Sequence, residues 1–156
     1  MTTTIADTTI YFVETKTAER TLAVCRWVEH FYDQGQRVQV LAGSSMGAQN
    51  LDQLLWTFAQ GSFIPHRIIA ATPAEDPVEA VLITIGELPL EGVAVLVCDG
   101  PAGLEFLLRY RWVVHFVLVD DEERRQESRS LWQQLRRREI RTTHVPYAPK
   151  GTPPAF

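Results

Sequence analysis

Val93 to Cys98 reads VAVLVC, six consecutive apolar residues. A run that is apolar on both faces describes a strand covered on both sides, as in a parallel sheet flanked by helices. Working outward, Arg37 to Ala42 (RVQVLA) and Thr8 to Val13 (TTIYFV) read as further strands. Val78 to Ile85 reads as another, because its run EAVLITI is nearly continuous. Between the first two, Thr17 to Gln34 carries Leu22, Cys25, Val28 and Phe31 or Tyr32 at helical spacing, with Thr17 as N-cap and Gly35 as the residue beyond the C-cap. Downstream, Asp99, Gly100, Pro101 and Gly103 turn the chain into a short helix with Leu104, Phe106, Leu107 and Leu108, and Arg111 to Val119 reads as a strand. A last helix starts from the acids at Asp120 to Glu123 and ends in the cations Arg136 to Arg138, each set matching the helix dipole. Thr142 to Val145 is expected as an edge strand. Strands alternating with helices predict an α/β, Rossmann-like three-layer domain, with a mostly parallel sheet and helices on both faces. It is expected to span residues 1–147, with 148–156 as a proline-rich tail.

The stretch Leu51 to His66, LDQLLWTFAQGSFIPH, has an apolar helical stripe at Leu51, Leu54, Leu55 and Phe58, stopped by Gly61 and Pro65. Trp56 flanks that stripe, and Phe63 and Ile64 follow in a segment too short for another helix. Two readings stand for Trp56 and Phe63: ordinary core, or a protein-binding surface. Arg67 to Ala71 is ambiguous between loop and strand.

Composition narrows the function. The 156 residues are 46% hydrophobic and 22% charged, with no apolar run of membrane-spanning length and no basic-then-apolar leader, so a cytoplasmic protein is expected. The net charge of −4 argues against general nucleic-acid binding. Cys25 and Cys98 read as reduced core thiols. Gly43 and Gly47 lack the lysine and hydroxyl of a phosphate loop, and Asp99 reads either as a catalytic group in a crevice at the strand ends or as a turn-and-cap residue, the second being favoured. The histidines His30, His66, His115 and His144 stand far apart, and no Gly-x-Ser-x-Gly elbow occurs, so no cofactor, metal site or catalytic residue is expected.

The last helix carries a sharper signal. Arg125, Arg129, Trp132 and Arg136 follow i, i+4, i+7 and i+11, an arc of about 60° at 100° per residue. Ser128, Leu131 and Leu135 lie on the neighbouring face, toward the sheet. From Arg124 to Arg141 there are seven arginines and two acids, Glu127 and Glu139, in an acidic protein. Such a stripe is either a solvated arginine face or a site for an acidic peptide with an aromatic anchor beside Trp132. Direct binding of single-stranded nucleic acid, with Trp132 stacking on a base, is the alternative.

With the Leu-Asp-x-x-Leu-Trp segment spaced to Ser-Phe-Ile-Pro-His, the long helix ending in Gly35, Gln36 and Arg37, and this basic helix, the chain resembles the chi subunit of bacterial DNA polymerase III holoenzyme from about Thr9 to Tyr147. The resemblance implies a non-catalytic adaptor of the clamp-loader assembly in a replicating bacterial cell, associated with the nucleoid through replication complexes. It places a surface for the psi subunit or a helicase-type partner at Trp56, Phe63, Ile64 and Pro65. It places the site for the acidic C-terminal tail of single-stranded DNA-binding protein at Arg125, Arg129, Trp132, Gln133 and Arg136. DNA is then met only indirectly. Gln133 stands where the family has a lysine, and Glu139 where it has a glycine.

Overall fold

The computed structural model describes residues 7–58, 63–149 and 153. Gly61 and Ser62, and positions 150–152 and 154–156 of the expected tail, lie outside them. Seven strands form one sheet: β1 (Thr9–Thr15), β2 (Val38–Ala42), β3 (His66–Ile69), β4 (Val81–Ile85), β5 (Val95–Cys98), β6 (Trp112–Leu118) and β7 (Arg141–Val145). Their order is β3-β4-β2-β5-β6-β1-β7, and every pairing is parallel. The helices are α1 (Arg20–Asp33), α2 (Ser45–Thr57), the single turn α3 (Leu104–Leu107) and α4 (Glu122–Arg137). The expected α/β arrangement is therefore present, with a sheet wholly rather than mostly parallel.

The order explains the layers. From β1 to β2 and on to β3 the chain travels one way across the sheet; from β3 onward it travels the other way. Right-handed crossovers then place α1 and α2 on one face and α3 and α4 on the other. The pleat divides the core accordingly. Val13, Val40, Ile83, Val97 and Val114 pack with Trp27, Phe31, Leu51 and Leu55 of α1 and α2. Ile10, Phe12, Leu41, Leu96 and Val113 pack with Leu107, Tyr110 and Leu135. Both faces of the central strands are covered, which is why VAVLVC has no polar position. One polar knot sits in this interior: Gln39 donates to Thr84 Oγ1 and to the Leu88 carbonyl, 2.9 Å each, and accepts from the Tyr110 hydroxyl.

Several expected boundaries move. Residues 17–19 form a 3-10 turn and the α-helix begins at Arg20; Thr17 is not its cap, because its N–H and hydroxyl both donate to Asp120 at 2.9 Å, tying the start of α1 to the β6–α4 turn. Leu22 is only half-buried, whereas Trp27 is fully enclosed and is the largest such side chain. The fourth strand starts at Val81 rather than Val78, which is 93% exposed, and the ambiguous piece after Pro65 is the edge strand β3. Gly35, at φ 80°, ends α1 through Gly35 N–H to Tyr32 O and Gln36 N–H to Phe31 O, as its position predicts. The chain is tied down just before the expected tail: the Tyr147 N–H donates to Glu14, and its hydroxyl lies 2.9 Å from both oxygens of Glu19. No helix among the described residues is long and apolar enough to cross a membrane.

Candidate functional site

Helix α4 begins at Asp121, whose carboxylate accepts the Arg124 N–H at 3.1 Å, and lies over the edge of the sheet formed by β6, β1 and β7. It is lightly seated. Only Ser128 and Leu135 are fully buried, with Leu131 and Trp132 half-buried beside them. The Ser128 hydroxyl lies 2.8 Å from His115 Nε2 on β6. Burial lowers the pKa of His115 to about 4, against a smaller opposing pull from Glu127, so a neutral imidazole sits under the helix.

Between α4 and the strands runs a groove of about 420 Å³, lined by Phe12, Glu14, Val117, Val119, Arg125, Ser128, Arg129, Trp132 and His144. Phe12 supports Trp132 in an edge-on contact, with ring centroids 5.0 Å apart. Of the predicted residues, Arg125, Arg129 and Trp132 meet at this groove; Arg136 is exposed further along the same stripe, and Gln133 is exposed outside the lining. The arginines differ in electrostatic standing. Arg124 pairs with Glu127 at 3.0 Å and Arg125 with Glu122 at 3.6 Å, while Arg129 and Arg136 have no ion pair among the described residues. The strand side of the groove escaped sequence reasoning. Phe12, Val117 and Val119 look like ordinary strand residues, and only the register that sets Phe12 beside His144 brings β1 and β7 together. Glu14 and His144, 3.1 Å apart, carried no sequence signal at all.

The second predicted surface lies at the opposite edge of the sheet. Trp56 on α2 and Phe63 before β3 are 52% and 63% exposed, with ring centroids 5.3 Å apart. Trp56 also leans on His66 at 4.7 Å. His66 Nδ1 is 2.7 Å from the Ile64 carbonyl, and Nε2 is 3.0 Å from the Asp52 carbonyl and 3.2 Å from its carboxylate, so the ring pins this corner. The other two residues fare differently. Ile64 is 2% exposed and belongs to the core beneath α2, so it seats the segment instead of offering surface; Pro65 is half-buried, its carbonyl accepting the Val81 N–H. Packing decides this split, because Ile64 faces α2 while Phe63 turns outward.

A crevice of about 430 Å³ opens at the carboxyl edge of the sheet, beside Gly43, Asp99 and Gly100, where β2 and β5 send their chains to opposite faces. Ligands of open α/β sheets commonly bind at such a point. Here its base is closed by Asp99, 8% exposed and 3.1 Å from Arg20 Nε; burial raises the carboxyl's pKa, partly offset by that guanidinium. The Gly47 N–H, which a phosphate would need, is already taken by the Ser44 side chain at 3.0 Å. Gly43 and Gly100 are small because their backbones touch: a Cβ on Gly100 would lie 2.7 Å from Gly43 Cα. Cys25 and Cys98 are both buried free thiols, pushed up to about 12 chiefly by burial. No three His, Cys, Asp or Glu side chains converge on a metal-sized point among the described residues.

No curated protein matches the chain. The family model described as DNA polymerase III chi subunit, HolC, matches residues 8–143, a span that takes in all seven strands but for the end of β7, together with α4 and the Trp56–Phe63 corner. The chain therefore belongs to the DNA polymerase III chi subunit family, and with it to the accessory subunits of the polymerase III assembly.

Proposed function

We propose that this chain is a non-catalytic adaptor of the clamp-loader assembly. Its α4 groove takes the acidic C-terminal tail of single-stranded DNA-binding protein, and its Trp56–Phe63 corner takes psi or a helicase-type partner. The observation that carries the reading is the groove itself, where an apolar floor of Phe12, Val117 and Trp132 lies beside the unpaired Arg129. An aromatic residue buried there contributes about 1.5–3 kcal/mol, and each exposed ion pair about 0.2–1 kcal/mol, so the aromatic anchor outweighs any one arginine and binding weakens with salt. Tethering follows from two such contacts on one molecule, because holding both partners raises the effective concentration of one at the other. This reading assigns no reaction to the crevice, where the Asp99 carboxylate is paired with Arg20. Direct single-strand binding is the weaker reading, since Trp132 is half-buried and braced edge-on by Phe12, which limits the ring face open to a base.

The test is a titration with an acidic peptide ending in phenylalanine, the same peptide without that residue, and an oligothymidine. Only the first is expected to bind; Trp132→Ala abolishes that binding, and Arg129→Ala weakens it by about two- to five-fold. Equal binding of the truncated peptide, or tighter binding of the oligonucleotide, overturns the docking model. At the other corner, Phe63→Ala is expected to lose capture of the polymerase or helicase partner while the protein stays folded and still binds the peptide.

A further inference from the structure

The charges around the α4 groove are unevenly placed along its length. Toward the carboxyl edge of the sheet stand Glu14 on one wall and, at the start of α4, Asp121, Glu122 and Glu123; here Arg125 is already compensated by Glu122. Toward the other end the groove side of α4 carries Arg129 and Arg136, with no acid paired to either among the described residues. The helix dipole pulls the other way, favouring anions at the amino end of α4. That pull is spent locally, because the Asp121 carboxylate caps the first turn and two glutamates fill it.

Glu14 is held firmly in this arrangement. Its side chain is 32% exposed, Oε1 accepts the Tyr147 N–H at 3.1 Å, and Oε2 lies 3.1 Å from His144 Nε2. The strap after β7 and His144 thus hold the carboxylate in the groove wall, in the path of a second negative charge.

We propose that Glu14 is a specificity-determining residue of the groove: a fixed negative wall that makes an acidic peptide lay its carboxylates along the C-terminal half of α4, by Arg129 and Arg136, and not along the helix start. This rests on reading the groove as an acidic-peptide site. Repulsion between like charges selects one of two orientations that the apolar floor alone accepts equally.

The probe is a synthetic peptide of aspartate and glycine residues ending in Pro-Phe, with a nitroxide label at its amino terminus. In the full chain, the label is expected to broaden the amide signals of Arg136 to Arg138 and to spare those of Asp121 to Glu123. Glu14→Gln keeps an acceptor for the Tyr147 N–H, turns an amide NH2 toward His144 and removes the charge. It is expected to bind the peptide about two- to five-fold more tightly, the range that single exposed charge pairs give, and to let broadening spread to Asp121–Glu123. Broadening at Asp121–Glu123 in the wild type overturns the proposal. So does unchanged or weaker binding by Glu14→Gln where Trp132→Ala still abolishes binding. Full binding by Trp132→Ala removes the groove reading itself, and this inference with it.

Discussion

Glu139 ends α4 in the left-handed region, at φ 57°, the one non-glycine residue with positive φ among the described residues. Its N–H donates to Arg136 O and the Ile140 N–H to Leu135 O, the same pattern that Gly35 completes at the end of α1. Ile140 and Leu135 are both buried, so packing holds the turn despite the side chain. A left-handed conformation costs a residue with a Cβ about 1–2 kcal/mol, and glycine forfeits about 0.4–1 kcal/mol through its freer unfolded chain. Glu139→Gly is therefore expected to stabilise the protein by about 0.5–1 kcal/mol, read as a raised urea midpoint at unchanged slope; a lowered midpoint would show that the side chain itself contributes. Gly35 was legible in the sequence because glycine announces such a turn. Glu139 was legible only as a departure from its family, since nothing local says that a buried Ile140 forces the geometry.

Among the elements, α4 was the most legible as a helix and the least legible as half of a site. Its acidic start and basic end located it to within two residues, and its arc of arginines and tryptophan, about 60° wide, is the stripe that borders the groove. The opposite wall comes from β1, β6 and β7, brought together by sheet register that no sequence window contains. The same helix carries a pH dependence. His115 has a pKa of about 4 in the folded protein against 6.5 for the free side chain, so the unfolded chain takes up the proton first. The contribution is complete above pH 6.5 and is lost as pH falls toward 4. At about 1.4 kcal/mol per pKa unit it reaches at most about 3.5 kcal/mol, less in practice because the ring keeps some exposure at the crevice. Urea unfolding of the wild type against His115→Gln isolates it. The stability difference between them is expected to be constant above pH 7 and to shift against the wild type between pH 6.5 and 4; a difference flat across that interval would show that His115 titrates normally.

Across the whole molecule, the strand order puts the two proposed surfaces at opposite ends of the sheet. The Trp56–Phe63 corner adjoins β3, the first strand in spatial order, and the α4 groove adjoins β1 and β7, the last two. Six strand spacings of about 4.8 Å separate β3 from β7 by about 29 Å. The helices concerned, α2 and α4, also pack on different faces and in different core clusters. That separation is fixed by connectivity, because a chain crossing first one way and then the other must deliver α2 and α4 to opposite sides. Sites more than about 7–10 Å apart without shared partners behave additively to within about 0.3–0.5 kcal/mol. Phe63→Ala is therefore expected to leave the affinity for an acidic, phenylalanine-ending peptide unchanged within about two-fold, and the unfolding free energies of Phe63→Ala and Trp132→Ala to sum in the double variant. A larger change in peptide affinity on Phe63→Ala, with the fold intact, would mean that the sheet transmits a rearrangement from one edge to the other. The proposed adaptor would then be a coupled switch instead of a rigid bridge.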